Sequence, residues 1–223
     1  MNATEEGFSI NEQVFHRSEM IAALTELEHA PIARTKAGAR HVLNVPVVQR
    51  LATDPRLIRL AGRVVGPAPV PFRAMLFDKS AESNWLVVWH QDTALPLRER
   101  VAGSEWGPWS EKSGVLYAHA PAWALDTVIA LRVHLDDSTA ENGPLRVLPA
   151  THKGGVLSDE VMRQLARDIA PVECQAASGG VVAMRPLTVH ASSKASGGSP
   201  RRVLHIEYAA SVYLGAGIEL AIG

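Results

Sequence analysis

Two residues set two apart near the middle of the chain offer metal chemistry. His90 and Asp92 stand in Trp89-His90-Gln91-Asp92, at the end of the apolar run Trp85-Leu86-Val87-Val88. That run is rich in β-branched and aromatic side chains, so it reads as a strand. On a strand, residues two apart project to the same side. His90 and Asp92 therefore present an imidazole and a carboxylate together, two of the three ligands of the facial set that holds non-haem iron(II). A His-X-Asp pair alone is a weak signal in a chain with nine histidines, so the rest of the chain has to supply a third ligand.

His190 is the best candidate for it. It closes Leu187-Thr188-Val189-His190, and eleven residues later Arg201 opens the strand-like Arg202-Val203-Leu204-His205-Ile206. A jelly roll can set early and late strands side by side, which lets His190 meet His90 and Asp92. Two imidazoles and one carboxylate take one face of an octahedral iron and leave the other face for a chelating cosubstrate and O2. A 2-oxo acid bound there needs its far carboxylate held, and the planar fork of an arginine does that in a way a lysine does not. Arg201 is placed for this role, and Ser192, two residues after His190, can add a hydroxyl. The next residue, Arg202, points to the opposite face of the strand.

Elements that can position these residues follow from periodicity. Ser18 is a candidate cap for a helix through Leu27, with Met20, Ala23, Leu24 and Leu27 on one face. Residues 35–41 read as a loop. A second helical stretch spans Pro46 to Val65, broken at Asp54-Pro55, with Asp54 as a new cap and Pro55 at the first helical position. From Val70 the pattern changes to short strands: 70–77, 85–91, 114–119, 127–135, 144–148, 180–184 and 202–209. One helix, from Ser158 or Asp159 through Ala166, interrupts them. The expectation is a single domain, with residues 1–69 as a helical layer and 70–210 as an antiparallel jelly-roll core. The stretch 95–113 is long, polar and broken by Gly and Pro, yet carries Trp106 and Trp109. It reads equally as a lid over a substrate and as a surface loop pinned by two tryptophans. His119 and His205 lie on presumed strands and can face the pocket; a structural role is the expectation for both, with His119 kept beside Trp106 and Trp109 as a substrate-contact candidate.

Several further motifs join this set. They are Phe77-Asp78-Lys79-Ser80, Trp89-His90-Gln91-Asp92-Thr93, Leu131-Arg132-Val133-His134-Leu135-Asp136-Asp137, the run Glu141-Asn142-Gly143-Pro144 through His152-Lys153, and His190-Ala191-Ser192 with Arg201-Arg202. Through them, over roughly residues 70 to 210, the chain resembles the phytanoyl-CoA dioxygenase family of iron(II)/2-oxoglutarate oxygenases, in particular its small bacterial members. The resemblance implies a double-stranded β-helix (jelly roll, cupin-like), with iron on His90, Asp92 and His190. It places Arg201 and Ser192 on the tail carboxylate of 2-oxoglutarate, and Lys79, Thr93 and Arg132 along the cosubstrate pocket. Lys79 and Arg132 read equally as solvated strand ends, although His134 shares a face with Arg132 while Leu131, Val133 and Leu135 share the other. One departure is Ala150-Thr151-His152, where the family usually has Gly-Ser-His; it is conservative and touches turn geometry only.

Composition sets outer bounds. Hydrophobic residues make up 47% and charged residues 20%, ordinary for a globular protein. A net charge of −1 without a basic block offers nothing to nucleic acid or an anionic membrane surface. Cys174 is the only cysteine, so no intrachain disulfide is possible, and a reducing, cytoplasmic setting is expected. The N-terminal residues carry no basic and apolar signal-peptide regions. The expected function is hydroxylation of a small-molecule metabolite with release of succinate and CO2, using iron(II), 2-oxoglutarate and O2. In related halogenases a small residue replaces the carboxylate ligand, so Asp92 favours hydroxylation or desaturation. The rival is a non-catalytic, cupin-like metal-binding or sensing protein, which would not need Arg201 and Ser192 together.

Overall fold

The computed structural model describes residues 2–36, 38–80, 83–101 and 105–223. Strand β1 (Phe8–Asn11) precedes helix α1 (Arg17–His29). Helix α1 buries Met20, Ala23 and Leu27, the stripe its spacing predicts. Its cap differs from expectation. The helix starts at Arg17, so Ser18 falls inside the first turn, and the Glu19 carboxylate instead accepts the His16 backbone N–H at 2.7 Å. A glutamate three residues past the cap position satisfies an otherwise orphaned donor. The segment read as a loop contains strand β2 (Gly38–Arg40). A Cβ on residue 38 would lie 1.8 Å from the Leu76 carbonyl oxygen, so only glycine lets this edge approach its neighbour. Helices α2 (Pro46–Ala52) and α3 (Pro55–Val65) break at the expected place, and Asp54 accepts the Arg56 N–H at 2.8 Å.

The remaining elements are β3 (Val70–Lys79), β4 (Val87–His90), β5 (Ala94–Leu97), β6 (Trp109–Lys112), β7 (Val115–His119), α4 (Ala122–Leu125), β8 (Val128–His134) and β9 (Leu145–Val147). After them come α5 (Asp159–Asp168), β10 (Val172–Cys174), β11 (Val181–Met184), β12 (His190–Ser192), β13 (Arg201–Ala209), β14 (Tyr213–Gly215) and β15 (Ile218–Glu219). Ser158 caps α5 by accepting the Val161 N–H.

Two sheets make the jelly roll. The larger has the order β1-β11-β8-β13-β3-β2 and the smaller β10-β9-β12-β4, with every pairing antiparallel. Strand alternation gives the larger sheet two characters. Leu76, Leu131, Val133, Leu204 and Ile206 share one buried cluster with Met20, Leu27, Val48 and Leu57 of the helices. Each fully buried Leu or Ile contributes about 1.5–3 kcal/mol to that packing. The intervening residues, among them Arg132, His134, Arg201 and His205, take the other face and are buried as well. The helical layer therefore covers one face of the larger sheet and leaves the polar face to the interior of the roll.

The stretch 95–113 is not irregular throughout. β5 and β6 flank β7 in a third sheet of order β5-β7-β6. Pro96 masks the first of these strands in the sequence, and its position at a sheet edge is where proline is tolerated. Trp106 is buried in a cluster with Leu95, Leu97 and Leu125, and meets Trp123 edge-on with ring centroids 6.0 Å apart. Residues 102–104 of the predicted lid lie outside the described residues.

Candidate active site

Strands β4 and β12 pair so that His90 and His190 are direct cross-strand partners, with ring centroids 4.1 Å apart. Asp92 follows the end of β4, and its backbone N–H donates to the Pro186 carbonyl at 3.0 Å. Its carboxylate oxygens lie 3.7 Å from His90 Nε2 and 3.5 Å from His190 Nε2. One donor atom from each of the three residues falls within 4.8 Å of the others. Both imidazoles are oriented in the same way. His90 Nδ1 bonds the Val88 carbonyl and His190 Nδ1 the Thr188 carbonyl, each at 2.8 Å. A carbonyl only accepts, so Nδ1 carries the proton and the Nε2 lone pair is free for a metal. Burial pushes the His190 pKa down to about 4 against the pull of Asp92, which keeps that lone pair available at neutral pH. Burial also opposes charge on Asp92, but His190, His205 and His90 outweigh it and hold its pKa below the ordinary carboxylate range.

Gln91, between the two ligand candidates, points away from them. It donates to the Gly155 and Leu187 carbonyls at 2.9 and 2.7 Å and accepts the Leu157 N–H at 2.8 Å. These bonds pin the end of β4 to the segments beside it. Sequence reasoning missed this positioning residue, because all its partners are backbone groups far along the chain.

The three donors open into a cavity of about 120 Å³ whose walls include Met75, Phe77, Trp85 and Leu145. Arg132, Ser192 and Arg201 also line it. Arg201 is 3% exposed. Its Nε donates to the Asn142 carbonyl at 3.2 Å, its Nη2 reaches Ser192 Oγ at 3.5 Å, and its Nη1 has no partner. Lys79, opposite Arg201 in the β3–β13 register, donates to Ser192 Oγ at 2.9 Å and to the Ser193 carbonyl at 2.6 Å. Arg132 bonds His205 Nδ1 at 3.1 Å, stacks over Phe77 at 5.2 Å and leaves Nε unpartnered. Neither Lys79 nor Arg132 is a solvated strand end. Burial, then Arg132, pushes the Arg201 pKa down to about 10, and burial, then Arg201 and Arg132, pushes Lys79 down to about 8. An unsatisfied buried donor costs about 1–3 kcal/mol. A pocket with two such guanidinium donors beside a third cation suits an anion.

The Asn142-Gly143-Pro144 segment supports this end of the cavity. Asn142 offers its carbonyl to Arg201, and Gly143 offers its own to the Ser192 hydroxyl at 2.9 Å. A Cβ on residue 143 would sit 2.4 Å from the Ser193 carbonyl oxygen, at a φ of +69°. Arg202 takes the opposite face, as alternation predicts, and pairs with Asp136 at 2.8 Å and Glu28 of α1 at 3.0 Å. Behind the metal side, Arg73 and Glu207 form a buried ion pair, and His205 bridges Glu207 and Arg132. Sequence reasoning missed Arg73 and Glu207; charges on strands read as solvent-facing. Thr93 and His119 bond each other at 2.7 Å and do not line the cavity. Trp106 and Trp109 do not line it either.

The chain is similar to known proteins at three levels. The model of the phytanoyl-CoA dioxygenase family matches residues 11–203. The L-proline trans-4-hydroxylase of Streptomyces griseoviridis is 25% identical over 188 residues, covering 73% of this chain and 62% of that enzyme. The chain thus spans less than two thirds of that relative's length. Among solved structures, AviO1 from Streptomyces viridochromogenes superposes with a TM-score of 0.65 at 23% identity, over 93% of this chain and 91% of its own. EctD from S. alaskensis with 2-oxoglutarate and 5-hydroxyectoine gives a TM-score of 0.70 at 20% identity, over 93% of this chain and 73% of its own. These two share the fold. With the family match spanning most of its length, the chain belongs to the phytanoyl-CoA dioxygenase family.

Proposed function

We propose that the chain is an iron(II)- and 2-oxoglutarate-dependent dioxygenase that hydroxylates a small organic molecule. In this reaction one atom of O2 enters the substrate as hydroxyl and the other enters succinate, with loss of CO2. His90, Asp92 and His190 hold the metal through Nε2, a carboxylate oxygen and Nε2. Bound iron supplies the O2 and one-electron chemistry that no side chain of the protein can provide.

The protein's own residues do the rest. Arg201 grips the tail carboxylate of 2-oxoglutarate with its free Nη1, backed by Ser192 and Lys79. Arg132, the third cation, offsets the second negative charge. Met75, Phe77, Trp85 and Leu145 exclude water from the cavity and strengthen each of these contacts. The carbonyl bonds at Nδ1 of both histidines hold the rings, and with them both Nε2 atoms, in place.

One observation carries this reading: the unpartnered Nη1 of Arg201 lies on the same small cavity as three converging metal donors. A module that only stored or sensed a metal would have no use for a buried guanidinium there. The names of the relatives, a proline hydroxylase and an enzyme crystallised with 5-hydroxyectoine, favour a small-molecule substrate. Release of succinate from 2-oxoglutarate, dependent on iron(II) and O2, tests the proposal. Succinate formation above the iron-only background supports it, and its absence at saturating cosubstrate with a metabolite mixture counts against it.

A further inference from the structure

Two exposed cations, Arg40 and Lys112, stand apart from the residues that line the cosubstrate end of the cavity. The Asp92 and His90 side chains are 33% and 35% exposed, against 5% for His190, so the metal centre opens to solvent on their side. Strand β2 is the edge strand of the larger sheet, paired with β3. Ala39 is opposite Leu76 and joins the helix-side core, while Arg40 is opposite Met75, a wall of the cavity. Alternation therefore turns Arg40 to the cavity's side of the sheet.

Lys112, at the end of β6, approaches from the other direction. Its ammonium lies over the ring of Tyr117 at 5.2 Å. The same ring carries Arg73 at 5.5 Å and His41, the residue after Arg40, at 6.2 Å. Tyr117 is buried and gathers these groups at one place. Arg73, on that same ring, donates to the Ala94 carbonyl at 3.3 Å, two residues past Asp92, which ties the cluster to the open side of the site. Burial first, then Arg40 and Arg73, lowers the Lys112 pKa, while Asp92 pulls it up. Arg73 is matched by Glu207. Among the described residues, Arg40 and Lys112 make no ion pair with any carboxylate. Both are exposed.

A cationic substrate would be repelled here, and a neutral one would leave both charges without a role. We infer that Arg40 and Lys112 anchor the carboxylate of the substrate, so that the enzyme acts on small carboxylic acids held at the mouth with their carbon skeleton reaching toward His90 and Asp92. Two separate cations suit a carboxylate better than a phosphate dianion, which would call for a denser set of donors. This inference rests on the oxygenase reading and narrows its substrate class.

The test uses binding rather than turnover. The full chain is loaded with manganese(II) and saturating 2-oxoglutarate, and candidate ligands are followed by NMR, because a paramagnetic ion broadens the signals of a molecule held near it. Free amino acids and small hydroxy acids are compared with their amides and with phosphate monoesters. At least one acid should broaden while its amide does not. In R40Q/K112Q that acid should bind about tenfold more weakly or worse, and because both residues are exposed, thermal melting should confirm an intact fold. Broadening of 2-oxoglutarate itself separates the two failures. If it is absent in the wild-type chain, the oxygenase reading falls. If it is present but no acid responds, amides match acids, or phosphate esters bind best, the inference is overturned. Unchanged acid binding in R40Q/K112Q overturns it too.

Discussion

His90 and His190 stand opposite each other on paired antiparallel strands, each with Nδ1 tied to the carbonyl two residues behind it. The two Nε2 atoms are thereby aimed at the same Asp92 carboxylate. Such preorganisation means that removing a ligand should cost metal, not fold. His190→Ala or Asp92→Ala should lose iron stoichiometry and succinate formation while circular dichroism and cooperative unfolding persist. A His190→Ala protein that retains one iron per chain would remove His190 from the ligand set.

Gln91 should matter in a different way. Gln91→Ala strips three hydrogen bonds and leaves the Gly155 and Leu187 carbonyls and the Leu157 N–H to find other partners. The expected loss is about 1–3 kcal/mol in denaturant unfolding, together with weaker metal binding because the end of β4 is freed. Unchanged stability and unchanged iron affinity would show that the strand end is held by other means.

Lys79 gives a pH signature. Burial, Arg201 and Arg132 depress its pKa from the ordinary lysine value to about 8. Between about pH 8 and the unfolded-state value of about 10.4, the unfolded chain binds a proton that the folded chain does not. Stability of the ligand-free protein should therefore rise with pH across that window. Affinity for 2-oxoglutarate should move oppositely, falling above pH 8 as the ammonium is lost. Lys79→Met should bind more weakly and lose this pH dependence. An identical pH profile in Lys79→Met would place the titrating group elsewhere.

Ala150 carries backbone strain, although the departure reads as conservative in the sequence. The family's usual glycine is alanine here, and the residue adopts φ +62°, the left-handed region. Non-glycine residues pay about 1–2 kcal/mol there, partly offset by glycine's larger entropy loss on folding. Ala150→Gly should raise stability by up to about 1 kcal/mol, read as an increase in Tm. A lower Tm would mean that the alanine methyl makes compensating contacts.

These residues also show where sequence reading succeeds. β3, β8 and β13 were legible because each is seven or more residues long with alternating or continuous apolar character. β10, β12 and β14 have three residues each, too few for a period to declare itself; β9 is as short but follows the Asn142-Gly143-Pro144 turn signal, which marks it. β2 was hidden because its close approach requires Gly38, a residue that normally signals a loop. The shared side of His90 and Asp92 was legible from two-residue spacing, and the opposite facing of Arg201 and Arg202 from alternation. The Arg73–Glu207 pair and the contacts of Gln91 were not, because both depend on partners brought together only by the folded sheets. Trp106 was ambiguous for the same reason: a buried tryptophan in a polar stretch does not announce which cluster receives it.

The measurement that bears most directly on the central claim is an anaerobic titration of 2-oxoglutarate into iron-loaded wild type, Arg201→Ala and Arg201→Lys. Removing one partner of a buried charged pair costs about 3–5 kcal/mol, or about two to four powers of ten in affinity. Arg201→Ala should weaken binding by that much, and Arg201→Lys should recover only part of it, since an ammonium keeps the charge but loses the planar fork. Pyruvate, which lacks the tail carboxylate, should bind nearly alike to all three. Wild-type affinity for 2-oxoglutarate in Arg201→Ala would contradict the account.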